Sequence, residues 1–228
     1  MPVLQFYAKK GCKCRMMQFQ QTWRETYENK ALKLVEQYTG LPWKLPELKI
    51  TVIRSSAIGK MFLADTDPQD PSRIRLVIDT AKSSYETLVH ELIHANVWGA
   101  YQSDSRFKEM GFFEDIFCDE VLTELIAQKI CIRLRLRARM DCGWALEYGF
   151  ESAFEKIADI LGFKLKTWNL GKDRRTSTLG AKKLREEMVS DLEKWFRSYV
   201  GHVRRGETSM LEGGREILKL FTNISERY

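Results

Sequence analysis

Two histidines one helical turn apart, with a glutamate beside the first, are the residues in this chain best suited to chemistry: His90-Glu91-Leu92-Ile93-His94. Residues i and i+4 project from one face of a helix, so two imidazoles can converge on a single ion. Zn²⁺ accepts imidazole nitrogen at about 2.0–2.1 Å, and catalytic zinc sites hold three protein ligands with the fourth position left to water. A glutamate next to the first ligand can reach that water and take its proton as general base. The plainer alternative is a pair of histidines on a core or surface helix face. Histidine is scarce, with His202 the only other in 228 residues, so finding two at this spacing is informative.

A third ligand is then required. His202 lies far downstream among glycines, whereas the segment after the motif is rich in acids: Glu114, Asp115, Asp119, Glu120 and Glu124. Glu120 and Glu124 stand one helical turn apart, so one carboxylate could bind the ion while the other accepts the N–H of a ligand histidine. Glu120 is the favoured ligand, with Glu124 or Asp119 as alternatives. His202, Arg204, Arg205, Tyr85 and Tyr101 are candidates for stabilising a tetrahedral oxyanion.

These side chains must be positioned by regular elements. Residues 16–38 carry Phe19, Trp23, Tyr27, Leu32 and Val35 at helical spacing, and Gly40 with a proline-containing loop ends that helix. LKITVIRS (48–55), GKMFLA (59–64) and RIRLVID (73–79) read as three strands, with DTDPQDPS (65–72) as a turn. The period changes at Ser83, where Ser83 or Ser84 as N-cap and Glu86 form a capping box for the helix bearing the motif. Further helical patterns cover 112–136, 145–163, 180–200 and 209–224, divided by glycines that include Gly180, Gly201, Gly206 and Gly213–Gly214. A strand within 59–64 or 73–79 could pair edge-on with an extended substrate.

Composition narrows the setting. Hydrophobic residues make up 44% and charged residues 30%, which fits a globular chain rather than a disordered one. No apolar run is long enough for a membrane span, and the first residues lack a secretory pattern. Five cysteines, an odd number without any CxxC pair, fit a reducing compartment and exclude a zinc ribbon, so a cytoplasmic location is expected. Cys12 and Cys14 sit in what reads as a polar N-terminal arm, from which a thiolate could occupy the open zinc position. The net charge is +6. Arg133, Arg135, Arg137 and Arg139 form one basic cluster, and Lys172, Arg174, Arg175, Lys182, Lys183 and Arg185 a second. Each could contact nucleic-acid phosphate, but cations at a helix C-terminus are the favoured reading of the first, and a solvated linker is the equal alternative for the second.

HExxH followed by a glutamate in an ExxxE setting resembles the gluzincin metallopeptidases. That resemblance implies His90, His94 and Glu120 as zinc ligands, Glu91 as base and Glu124 as the residue behind a ligand. Residues 48–95, through LKITVIRS, AIGKMFLA, RIRLVID and YETLVHELIHA, resemble the SprT-like (Spartan-type) proteases. The histidine which that family carries downstream has no counterpart in SDSRFKEMGFF (103–113). DEVLTELIAQ (119–128) is similar to the corresponding helix of ArdC-type and ImmA/IrrE-type zincins. The expected fold is α+β and zincin-like. An arm and helix (1–47) precede a catalytic core (48–140), whose sheet of about three strands packs on the HExxH helix, and a mostly helical part (141–228) follows. The expected function is zinc-dependent hydrolysis of a protein or peptide. The alternative is a nucleic-acid-associated regulatory or antirestriction protein that keeps the zinc site without essential proteolysis.

Overall fold

The structure, a computed structural model, describes residues 1–53, 63–78, 81–103, 116–136, 142, 145, 146 and 179–225. Among them are six helices and one four-stranded mixed sheet, a mostly helical α+β architecture.

Alternation of side chains builds the sheet. In β2 (Glu47–Ile53) Leu48, Ile50 and Val52 are buried while Lys49 and Thr51 face outward. In β4 (Arg73–Val77) Ile74 and Leu76 point in, and Arg73 and Arg75 point out. Two further strands, β1 (Val3–Ala8) and β3 (Ala64–Thr66), complete the order β1-β2-β4-β3. The first three are parallel, and β3 runs antiparallel to β4. The register aligns Phe6, Ile50, Ile74 and Thr66 across one face, and Ala8, Val52, Leu76 and Ala64 in the next row. On the other face Arg75 Nε donates to Asp65 Oδ1 at 2.7 Å, and Lys49 pairs with Glu47.

The sheet therefore has four strands rather than about three. The missed strand, β1, lies in what reads as a polar arm. Its inward residues Leu4 and Phe6 alternate with Val3, Gln5 and Tyr7, and its partner is far away in sequence, so no local signal marks it. Cys12, expected in that arm, is instead buried with Met16 and Val52. Of the expected strand 59–64 only Leu63 and Ala64 lie within the described residues, and Asp65 and Thr66, expected in the turn, belong to β3. The turn proper follows, where Gln69 N–H donates to Asp67 Oδ1 at 2.9 Å and Arg73 pairs with Asp70. Because β4 is paired on both sides, it offers no free edge to a substrate. Among the described residues the edges are β1 and β3.

The helix expected over 16–38 is two helices, α1 (Lys13–Thr26) and α2 (Glu28–Thr39). They meet at Tyr27, whose φ of −121° leaves the helical path. Tyr27 N–H still donates to Trp23 O and Ala31 N–H to Tyr27 O, both at 2.8 Å, so the helical period survives the bend. Gly40 (φ 68°) ends α2 in the left-handed conformation that glycine adopts without strain, with its N–H on Glu36 O. The motif helix α3 spans Ala81–Ser103. Ser84 is inside it, its hydroxyl donating to Val77 O at 3.4 Å, so it is not the N-cap.

Helix α4 (Ile116–Arg133) falls within the expected 112–136. Its end is a Schellman turn: Leu136 N–H reaches Cys131 O at 2.8 Å while Arg135 takes φ 61°. Lys30 Nζ donates to Arg133 O at 2.8 Å, supplying a cation to the negative end of the helix. Helices α5 (Leu179–Arg204) and α6 (Met210–Ser225) match the last two expected stretches. Gly180, Gly201, Gly213 and Gly214 lie inside helices, and Gly206 (φ 71°) is the glycine that follows the end of α5. Gly213 is helical for a packing reason, since a Cβ there would stand 2.7 Å from Tyr199 Cε2. The stretch expected over 145–163 lies outside the described residues apart from the buried Ala145 and Leu146.

The chain forms two compact units. The first comprises Met1–Glu109 with Ile126–Met140, and so contains the sheet, α1, α2, α3 and the second half of α4. Residues 1–47 are thus part of the same unit as the motif helix. Its core centres on Trp23, Tyr38, Leu32, Leu4, Leu48, Ile50, Ile74 and Leu76. The second unit comprises Met110–Leu125 with Asp141–Tyr228. There α5 buries Met188, Leu192, Phe196 and Tyr199, and α6 buries Met210, Leu211 and Ile217. Among the described residues no helix is long and apolar enough to cross a membrane.

Candidate metal centre

From Ser84 to Ala100 nearly every residue of α3 is buried, whatever its side chain. A helix buried all round must satisfy its own polar groups inside the protein. Asn96 shows how this is done. Its Nδ2 donates to Leu41 O at 3.2 Å, and its Oδ1 lies 2.8 Å from the Thr39 hydroxyl, which shares its proton with Val35 O. Leu41 N–H donates back to Thr39 Oγ1. One turn away, a Cβ on Gly99 would stand 2.8 Å from Leu45 Cγ, so the loop after α2 closes directly on the helix backbone. These contacts fix the rotation of α3 about its axis, and with it the direction of the motif.

His90 and His94 are buried and turned toward each other. Their Nε2 atoms are 3.1 Å apart, with ring centroids at 4.8 Å and planes at 68°. Two imidazole nitrogens bound tetrahedrally at about 2.0–2.1 Å would be separated by about 3.3 Å, so the spacing suits a shared ion. Trp98, one turn on, lies against the His94 ring at 4.8 Å. Glu120 of α4 joins them: one ligand atom from each of His90, His94 and Glu120 lies within 4.8 Å of the other two, the two histidines buried and the glutamate half-buried. Among the described residues this is the group of histidine, cysteine and acidic side chains able to hold a metal ion. Two imidazoles and a carboxylate are a donor set suited to a divalent metal such as zinc.

Glu91 is buried beside them, and the Thr66 hydroxyl of β3 donates to its Oε2 at 2.6 Å. Sequence reasoning gave Thr66 no role, placing it in a turn. The signal is a cross-element contact that spacing does not carry. Asp119 and Glu124 are also buried on α4 but fall outside the three-residue group, and Thr123 Oγ1 donates to Asp119 Oδ1 at 3.4 Å.

The other candidates are placed elsewhere. Tyr85 packs into an aromatic cluster with Phe19, Tyr27 and Trp23 at 4.6, 5.1 and 6.0 Å, and burial pushes its phenol pKa up. It is a core residue, on a different face of α3 from the histidines. Tyr101 is half-buried near the end of α3. His202, which follows Gly201, is in the last turn of α5, where its Nδ1 lies 2.6 Å from Glu207 Oε2. Arg205 grips the same carboxylate, and Arg204 is exposed. Arg205 and then His202, through hydrogen bonds, hold Glu207 down to a pKa of about 2.

Arg133 and Arg135 are exposed at the end of α4. Arg137, Arg139, Lys172, Arg174 and Arg175, together with Glu114 and Asp115, lie outside the described residues. Lys182, Lys183 and Arg185 fall on α5. Cys12, Cys131 and Cys142 are buried and Cys14 is exposed, none of them in a disulfide. Comparison with family models, curated proteins and solved structures returns no match to this chain.

Proposed function

We propose that this protein is a zinc-dependent peptidase of the zincin type, acting on a protein or peptide inside a reducing compartment. The observation that carries the reading is the convergence of His90 Nε2, His94 Nε2 and a Glu120 carboxylate oxygen, with a buried glutamate next to the first histidine. A small sheet beside the HExxH helix is what the SprT-like resemblance implies, and an acidic residue from the following helix is what the gluzincin resemblance implies.

His90, His94 and Glu120 would hold the ion. A divalent zinc there supplies Lewis acidity, which makes a water nucleophilic near neutral pH and polarises the scissile carbonyl. Glu91 takes the proton from the attacking water and returns it to the leaving amine. Glu124 is assigned to orient a ligand histidine through its second ring nitrogen. The edge strand β3, beside α3, is the place for an extended substrate to add main-chain hydrogen bonds.

The test pairs metal analysis of the purified protein with a peptide-library cleavage assay on wild type and Glu91→Gln. Stoichiometric zinc in both, with cleavage in the first and a loss of about 10²–10⁴-fold in the second, is expected. Zinc retained with no cleavage by wild type, together with salt-dependent DNA retention unaffected by Glu91→Gln, would select the nucleic-acid-associated alternative.

A further inference from the structure

We propose that Thr66 is a positioning residue for the catalytic base, its hydroxyl holding one carboxylate oxygen of Glu91 so that the other faces the water to be activated. This inference rests on the peptidase reading above. Thr66 Oγ1 is 2.6 Å from Glu91 Oε2 and 3.3 Å from the Glu91 main-chain oxygen, and both residues are 6% exposed. The direction of the bond is set by chemistry, because an ionised carboxylate only accepts and the threonine hydroxyl carries the single proton between them.

Three features make the hydroxyl a rigid anchor. Thr66 is β-branched, so its χ1 is restricted by its own backbone. That backbone is paired to β4, with Thr66 opposite Ile74, which places the side chain in the same row as Phe6, Ile50 and Ile74. Finally, the contact comes from a strand, whereas the base rides on α3. A glutamate with three rotatable bonds is thereby referenced to a second element besides its own helix. The proton from water goes to Oε1 while Thr66 keeps its hold on Oε2. A group that fixes a base in this way contributes through geometry, and misplacement by about 1 Å can cost about 10²-fold in rate.

The experiment uses the full-length zinc-loaded protein and a fluorogenic peptide that wild type cleaves. Thr66→Val, isosteric and without the hydroxyl, is expected to lower kcat about 10–100-fold with KM within about twofold and zinc stoichiometry unchanged. Thr66→Ser, which restores the donor, is expected to stay within about threefold of wild type. A valine variant with kcat within twofold of wild type overturns the proposal, as does a serine variant as impaired as valine. A second readout needs no activity. In the zinc-free protein, Thr66→Val and Glu91→Met are combined in a double-mutant cycle of urea unfolding. Coupling of at least about fivefold in the unfolding constant is expected, and additive effects overturn the contact itself. A wild type that binds zinc but cleaves no peptide removes the peptidase reading and the catalytic role together, whereas the cycle reports on the Thr66–Glu91 contact alone.

Discussion

The three histidines occupy opposite settings. His90 and His94 are buried on a helix enclosed along most of its length, their Nε2 atoms facing each other. His202 lies at the surface in the last turn of α5, tied to Glu207 beside Arg205. The surface group needs little support, since water solvates whatever its partners leave and salt screens the rest. The buried pair sits on a helix whose neighbouring polar groups find partners on other elements: Asn96 with Thr39 and Leu41, Ser84 with Val77, Glu91 with Thr66. Buried ligands are therefore a property of the whole shell around α3, whereas His202 is a local arrangement within a few residues.

The sharpest way to break this contrast is to remove a ligand and compare it with the surface histidine. Glu120→Ala is expected to weaken zinc binding by on the order of 10³-fold, above the 10–100-fold typical of an outer partner. His202→Ala should leave zinc affinity unchanged. Competition with a chromophoric chelator measures both, and equal effects would abolish the distinction. The shell itself comes next. Asn96→Ala removes the side-chain donor to the Leu41 carbonyl and one of the two acceptors of the Thr39 hydroxyl, and opens a small void, so a loss of about 2–4 kcal/mol is expected in urea unfolding.

The smallest effect concerns the surface group and appears as a pH dependence. The Glu207 carboxyl is depressed from 4.5 to about 2 in the folded chain. A depressed carboxylate stabilises the fold above its unfolded value, and that contribution disappears as pH falls from about 4.5 toward about 2. The decline in melting temperature across this window should be shallower in Glu207→Gln. An NMR titration should place the carboxyl midpoint near 2 at low salt and higher at high salt.

What could be read from the sequence follows the range of the interactions involved. The histidine pair is an i,i+4 relation, and Glu120 lies on a helix with its own clear period, so both are visible locally. The bend at Tyr27 is invisible because hydrogen bonding continues through it. Gly213 looks like a break, yet it is a helical position where the Tyr199 ring leaves no space for a Cβ. β1 and Thr66 escaped notice for the same reason: each acquires its meaning from a partner on another element, Leu48 and Ile50 in one case and Glu91 in the other.

The parallel pairing of β1 with β2 has a consequence during synthesis. Two helices separate these strands in the chain, so β1 leaves the ribosome well before its neighbour exists, and the sheet can start to assemble only after Ile53 has emerged. Until then only α1, through Phe19 against Phe6 and Arg24 on the Leu4 carbonyl, can cover the inward face of β1, and a nascent-chain chaperone would find an apolar foothold there.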